Sequence, residues 1–465
     1  MPDSRRGEWE RLVLEASAQH SQGCLGEAIA TYRQLVSLRP DVPEVHFHLG
    51  NALYEAADVD GALGAYRRAI RLRPAYPAAH AHLGVALRAK GEWDAAIAAA
   101  RDAVAQCPQA ADGHYSLGAA LLLTGRLDEA EAPLRRAVAL APDRPDLHIT
   151  LSILLLLEGR YEEGWPEYEW HHPAEDRDSA GPLPPRWQGE DLGGRALVIR
   201  GEQGVGDELV YFSVVAELAA RGIRCVASAD ARLLGLLRRS VPDALVLERE
   251  GALPDDLLDI EVGARLPAAG LLRLKAPSAR EIDPVRPYLR PDPAAAARLR
   301  RSYAEGGRPV VGLSWWSANP DRRRASFAAL AEWLPILRVP GLRFVSLQYG
   351  DHGAEIAALR REAGLDILLD DSVDAHGDLD GFAAQVAAVD LVVTIDNSAA
   401  LFAACLGRPA FVLVDAVPDF RMGRTGERSP WYSGLRIFRQ RRPGDWAPVV
   451  ADVAEALRQW KGPPT

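Results

Sequence analysis

The chain is poor in cysteine. Its 465 residues include four, Cys24, Cys107, Cys225 and Cys405, and no two stand at a zinc-ligand or redox spacing. That excludes a disulfide scaffold and fits buried, reduced thiols in a cytoplasmic protein. Long apolar runs are also missing. Residues 151–157 are apolar but fall far short of the roughly 20 residues a membrane span needs. The start, Met-Pro-Asp-Ser-Arg-Arg, leads into no apolar stretch of a secretory signal. Basic charge is not in excess. The formal net charge is −10, and residues 1–170 hold 24 Asp and Glu against 17 Lys and Arg. Nucleic acid is therefore not expected as a partner, because neutralising phosphates needs clustered Lys and Arg. No HExxH, P-loop lysine, His cluster or Ser-His-Asp order stands out, so no metal and no bound cofactor is expected. At this length, two or three domains are expected.

What is present is a period. Pro40, Pro74, Pro108 and Pro142 stand 34 residues apart, and Gly50, Gly84, Gly118 and Ser152 keep the same spacing. So do Ala28, Ala62, Ala96 and Ala130, with Gly164 continuing the series. A 34-residue period with Leu-Gly in one helix, a small residue and an aromatic in the next, and a closing Pro resembles the tetratricopeptide repeat. The spacing predicts first helices at 45–56, 79–89 and 113–123, and second helices at 59–72, 92–106 and 127–140. Tyr32 and Tyr66 fill the gap left by the glycines; Ala100 and Leu134 stand at the same phase and are expected to fill it less well. A divergent fifth unit over 146–171 ends in Trp165-Pro-Glu-Tyr-Glu-Trp170 and reads as a cap packed on the next domain. Such superhelices offer a groove for a polypeptide, so a protein or peptide is the expected partner of the repeats.

Beyond residue 172 the pattern changes. Residues 173–194 are Pro- and Gly-rich and read as a linker, with Trp187-Gln188-Gly189 docking onto a domain. Short apolar runs then alternate with helical patterns, which argues a parallel α/β sheet. Strands are expected at 196–199, 224–227 and 244–247, and, after a Pro-rich joint, at 310–314, 344–347, 367–369, 391–395 and 410–413. The expected order is thus an all-α repeat domain (1–172), a linker (173–194), and two Rossmann-like domains (195–290 and 291–465).

Four strand-end segments could carry chemistry. Gln203-Gly204-Val205-Gly206-Asp207-Glu208 lets the backbone approach a ligand; Asp207 is there either a general base or the cap of the next helix. Asp396-Asn397-Ser398 either presents N–H groups to a phosphate or merely caps a helix. Ser314-Trp315-Trp316-Ser317 is followed by Arg322-Arg323-Arg324, which could grip a diphosphate or form a solvated loop. In Ser346-Leu347-Gln348-Tyr349, the tyrosine could stack on a nucleobase or belong to the core. The acidic residues Asp370, Asp371, Asp374, Asp378 and Asp380 read as a solvated loop rather than a metal site.

Together these segments resemble bacterial tetratricopeptide proteins fused to a GT-B glycosyltransferase domain, of the heptosyltransferase and O-GlcNAc-transferase kind, among them flagellin glycosyltransferases. The marks are Gly201–Glu208, VGLSW at 311–315, SLQYGD at 346–351, TIDNS at 394–398, and the stretch from Ser429-Pro-Trp-Tyr432 through Phe438-Arg-Gln440 to Trp446. The resemblance implies a nucleotide-sugar donor, a protein acceptor such as flagellin, no metal, and Asp207 as catalytic base. It implies Asp396, Asn397 and Ser398 at the donor, and the strand-end segments add Gly204, Gly206, Ser314, Trp315, Ser317, Arg324, Gln348 and Tyr349 to the expected donor site. Two departures stand out: relatives commonly carry His where this chain has Leu401, and Lys or Arg at Trp316. They leave open an unusual donor or a degenerate, non-catalytic scaffold; a transferase acting on glycan or lipid, with repeats used only for assembly, is a further alternative.

Overall fold

The computed structural model describes residues 3–172, 184–249, 260–278, 281–304, 306–317 and 329–462. Two compact units divide the chain, Met1–Leu154 and Leu155–Thr465.

The first unit is all helical. Its elements are α1 (Asp3–Ser21), α2 (Leu25–Leu38), α3 (Pro43–Glu55), α4 (Val59–Leu72), α5 (Pro77–Ala89), α6 (Trp93–Gln106), α7 (Ala111–Leu123), α8 (Leu127–Leu140) and α9 (Pro145–Leu157), which crosses the division. The first helices start two residues earlier than their spacing predicts. Pro43 and Pro77 take the first helical position, where a missing N–H costs nothing. The second helices stop two residues before Pro40, Pro74, Pro108 and Pro142, because the residue preceding a proline is pushed to an extended conformation. The period carries two further devices. Nε2 of His46, His80, His114 and His148 meets the carbonyl of Pro40, Pro74, Pro108 and Pro142 at 2.7–3.0 Å. The turn inside each helix pair holds a left-handed residue: Gly23, Ala57, Gly91, Gly125 and Gly159.

The interhelical gap behaves unevenly. A Cβ on Gly50 would lie 2.5 Å from Tyr66, and one on Gly118 would lie 2.5 Å from Leu134. Beside Gly84, where Ala100 faces the gap, the nearest atom is 3.8 Å away, on Ser116. The expected loose filling holds at Ala100; Leu134 fills its place as closely as Tyr66.

The second unit opens with the last turn of α9, then α10 (Tyr161–Tyr168) and a 3-10 turn, Glu169–His171. The division thus falls at 154/155 and not at the expected 172. Tyr161 and Trp165 are buried in this unit: Trp165 Nε1 donates to Ala276 O at 2.7 Å, and Trp431 Nε1 donates to Tyr161 Oη at 3.1 Å.

Two all-parallel sheets follow. The first holds β1 (Ala196–Arg200), β2 (Cys225–Ala229), β3 (Leu245–Glu248) and β4 (Val262–Pro267) in the order β3-β2-β1-β4. The second holds β5 (Val310–Ser314), β6 (Arg343–Ser346), β7 (Leu391–Ile395), β8 (Ala410–Val414) and β9 (Leu435–Arg439) in the order β6-β5-β7-β8-β9. Every residue of β5, β7 and β8 is buried, as expected of strands covered on both faces. β4 and β9 are not legible from apolar runs, because Arg265 interrupts one while Arg436 and Arg439 interrupt the other. Residues 367–369, expected as a strand, make a single bridge, Leu368 to Val345. Trp187 is buried beside β4, its N–H donating to Arg265 O. In such sheets ligands sit where the strand order reverses: between β1 and β4 in the first, between β5 and β7 in the second.

Candidate active site

The turn after β1 is tightly built. A Cβ on Gly201 would stand 2.1 Å from the carbonyl oxygen of Ser228, so only glycine fits there. Gln203 is left-handed with φ 62°, held by Arg249 Nη1 donating to its carbonyl at 3.1 Å and by Tyr211 Oη donating to its Oε1 at 2.7 Å. Gly204 is the cap of the helix Val205–Ala220. Asp207 therefore lies within the first turn and is not the cap.

Asp207 instead faces a cation. Its Oδ1 lies 2.8 Å from Nη1 of Arg421, without the alignment of a hydrogen bond. Nε and Nη2 of Arg421 donate to the two oxygens of Asp419. Burial works against the Arg421 charge, yet Asp419, Tyr432 and Asp207 outweigh it and hold the guanidinium well above its ordinary value. Burial also pushes the Tyr168 phenol up to about 12. Next along the helix, Glu208 is fully buried. Its Oε2 accepts the Asp230 N–H at 2.8 Å, while Oε1 makes no hydrogen bond among the described residues and lies 3.4 Å from Arg249 Nη1. Burial raises its carboxyl to about 7, against the opposing pull of the Asp230 N–H and Arg249.

A second group lies at the same strand end. Glu202 Oε2 lies 3.2 Å from His171 Nε2 and 3.1 Å from His172 Nδ1, and its Oε1 accepts the Ala269 N–H at 2.6 Å. Burial works to raise the Glu202 carboxyl, but the hydrogen bonds from His171, His172 and Ala269 outweigh it and hold the group at about 2. Sequence reasoning missed this cluster. Its one local signal is the His171-His172 pair; the carboxylate is far along the chain and only the fold brings it near.

At the second reversal point, Ser314, Gln348 and Asn397 are tied to one another. Gln348 Oε1 accepts from Ser314 Oγ at 3.2 Å and from the N–H groups of Trp315 and Trp316 at 2.9 Å. Asn397 Nδ2 donates to Ser314 Oγ at 2.8 Å, and its Oδ1 caps the helix Ser398–Leu406 at Ala399 N. These side chains fix the strand-end loop and the start of that helix. Trp315 is core, its Nε1 donating to Glu355 at 3.1 Å, and Ser317 is buried. Asp396 is buried; at the end of β9 burial lowers the Arg439 guanidinium below its ordinary value against the opposing pull of Asp396, and Arg439 Nη1 is buried without a partner among the described residues. Arg322, Arg323 and Arg324 lie outside the described residues.

Beside this network opens a cavity of about 640 Å3, lined in part by Trp316, Tyr349, His352 and His376. Tyr349 is thus on a cavity wall and not in the core. Its ring centroid is 5.6 Å from Trp316 and 6.0 Å from His376. Four of the five residues of the acidic stretch next to it have partners: Asp370 accepts from Tyr303 and Ser372, Asp374 from the backbone of His376 and Gly377, Asp378 caps a helix, and Asp380 pairs with Arg239, while Asp371 lines the cavity.

The two turns meet. A Cβ on Gly206 would stand 2.7 Å from Leu401 Cδ1 and 4.0 Å from Ser398 Cα. Gly206 and Asp207 from one half thus face Ser398 and Arg421 from the other.

Residues 49–111 and 81–145 match the family model described as tetratricopeptide repeat, and residues 16–56 match that described as TPR repeat. FlbA of Caulobacter vibrioides is 35% identical over 315 residues, 64% of this chain and 52% of that protein, so the chain spans about half the length of that relative. Among solved structures, TTC0263, a thermophilic TPR protein in Thermus thermophilus, is 26% identical, covering 35% of this chain and 88% of that one with a TM-score of 0.31. MamA from Desulfovibrio magneticus RS-1, from residue 41 to its end, is 21% identical over 35% of this chain and 90% of that one, TM-score 0.30. No described helix is long and apolar enough to cross a membrane. The matched segments run without a gap from the end of α1 to the start of α9, and residues 16–145 are tetratricopeptide repeats.

Proposed function

We propose that the chain is a GT-B glycosyltransferase that moves a sugar from a nucleotide-sugar donor onto a protein side chain, with the repeats holding the acceptor. The observation that carries this reading is the meeting of two strand-end turns: Gly201–Glu208 after β1, with Asp207 in its first helical turn, and Asp396–Ser398 after β7. Ligands of parallel α/β sheets sit at such strand ends.

The geometry is compatible with the following roles. The aromatic cavity of Trp316, Tyr349 and His376 suits a stacked nucleobase. The diphosphate lies toward the start of the helix Ser398–Leu406 and Arg439, where N–H groups and a guanidinium oppose its charge. Arg421 holds one oxygen of Asp207, which leaves Oδ2 to accept the proton of an acceptor hydroxyl. The hydroxyl oxygen attacks the anomeric carbon, the bond to the diphosphate breaks, and the nucleoside diphosphate leaves with the electron pair. Flagellin is the acceptor to which the resemblance points.

The test is a panel of nucleotide sugars offered to the full chain. Donor-dependent release of nucleotide and a raised melting temperature are expected with one of them. Removing residues 1–144 should abolish transfer to protein and spare nucleotide release.

Leu401 favours a second reading, a GT-like scaffold without turnover. An apolar side chain occupies the junction of the two turns, against Gly206, where relatives commonly place His. Failure of every donor to bind or be hydrolysed would select it.

A further inference from the structure

We propose that His171, His172 and Glu202 hold one divalent transition-metal ion, of the zinc class, at the reversal point of the first sheet. The site does not rest on the sugar-transfer reading and takes no part in it.

Its geometry is close to that of a coordination shell. His171 Nε2 and His172 Nδ1 lie 3.2 and 3.1 Å from the same oxygen of Glu202, and the three atoms lie within 4.8 Å of one another. Zinc bonds of about 2.0–2.1 Å in a tetrahedron place neighbouring ligand atoms about 3.3–3.4 Å apart. The two distances to the Glu202 oxygen thus lie within a few tenths of an ångström of those a tetrahedral ion needs.

With His171 neutral, one contact among these groups is left without a proton. His171 Nδ1 faces the carbonyl of Tyr168, which only accepts, so that nitrogen carries the ring proton. In the neutral ring Nε2 is then bare, and it points at a carboxylate oxygen, which only accepts. A cation between them turns the repulsion into two bonds. The alternative is an imidazolium at His171, which makes the group an ion pair with no metal. His172 Nε2 is buried without a partner among the described residues in both accounts and does not separate them.

The supporting contacts are those that metal ligands usually carry. The Tyr168 carbonyl orients His171, and the Ala269 N–H fixes the far oxygen of Glu202 just after β4. His171 and Glu202 keep 15% and 19% of their side chains exposed, which leaves a way in for the ion and room for water as a further ligand. Bound there, the ion ties the 3-10 turn after α10 to the end of β1.

The test uses the full chain without a histidine tag, stripped by chelator and titrated with Zn2+ in a calorimeter. One equivalent is expected to bind and to raise the melting temperature by mass action. Co2+ should give the visible absorption of a tetrahedral site. Glu202→Gln and His171→Gln should each weaken Zn2+ binding by about 100-fold or more, the upper end of what even outer-shell changes cost. Circular dichroism of the metal-free variants checks that they fold, and either variant suffices if the other does not. Absence of binding at 100-fold excess Zn2+, as the imidazolium account requires, overturns the proposal. So does binding of equal strength in the parent and both variants.

Discussion

Arg421 stands between two carboxylates, with Asp419 holding its Nε and Nη2 and Asp207 lying 2.8 Å from Nη1. Asp207 therefore has a structural task besides the chemical one proposed for it. Asp207→Asn should lower donor turnover about 10²–10⁴-fold, the usual cost of losing a placed base. It should also lower stability by about 1–3 kcal/mol, because a buried guanidinium loses one of its two anions while Asp419 keeps it paired. Denaturation and turnover measured side by side check both. Full turnover with reduced stability would leave Asp207 as a partner of Arg421 alone.

Three glycines at one repeat position should respond differently to alanine. Gly50→Ala and Gly118→Ala drive a Cβ to within 2.5 Å of Tyr66 and Leu134 and should destabilise by about 1–3 kcal/mol. Gly84→Ala meets nothing closer than 3.8 Å and should stabilise by up to about 1 kcal/mol through helix propensity. Chemical denaturation of the three variants checks the order.

The turn inside the second helix pair holds Ala57 at φ 64°, where its counterparts Gly23, Gly91, Gly125 and Gly159 have φ 75–77°. A left-handed alanine costs roughly 1–2 kcal/mol. Glycine there recovers that cost less about 0.4–1 kcal/mol of unfolded-chain entropy. Ala57→Gly should thus raise stability by about 0.5–1 kcal/mol, read as a shift in denaturation midpoint with unchanged slope.

The repeats were legible because their period fixes prolines, glycines and small residues at one phase, and strands β5 and β7 because both faces are apolar. Strands β4 and β9 were not, since arginines break their apolar runs. At the site, the sequence located the two turns but not their partners. Arg421 and Asp207 follow strands of different sheets, and Glu202 meets His171 and His172 only through the packing of α10 onto the first sheet. Ser314 and Gln348 look like ligand-binding residues in sequence because they stand at strand ends. In the structure their polar atoms serve the loop and each other.

Glu208 gives the fold a pH dependence whose sign is opposite to that of a paired surface carboxylate. Burial raises its folded-state value to about 7, above the roughly 4.3 of an unfolded glutamate. The folded state therefore holds a proton that the unfolded state has released. The stabilisation is complete below about pH 4.3 and is lost as the pH rises toward 7. The groups facing it are the Asp230 N–H, Arg249 and Arg232, which favour the ionised form, and the Asp230 carboxylate, which opposes it. The full swing is on the order of 3 kcal/mol. Glu208→Gln keeps the shape of the protonated acid and removes the titration. Unfolding free energy measured from pH 4.5 to 7.5 should fall less steeply with pH in the variant than in the parent. The two should be close in stability at pH 4.5, and the variant should be the more stable at pH 7.5. Parallel curves would mean that Glu208 stays ionised in the fold, with Arg249 as its counter-charge.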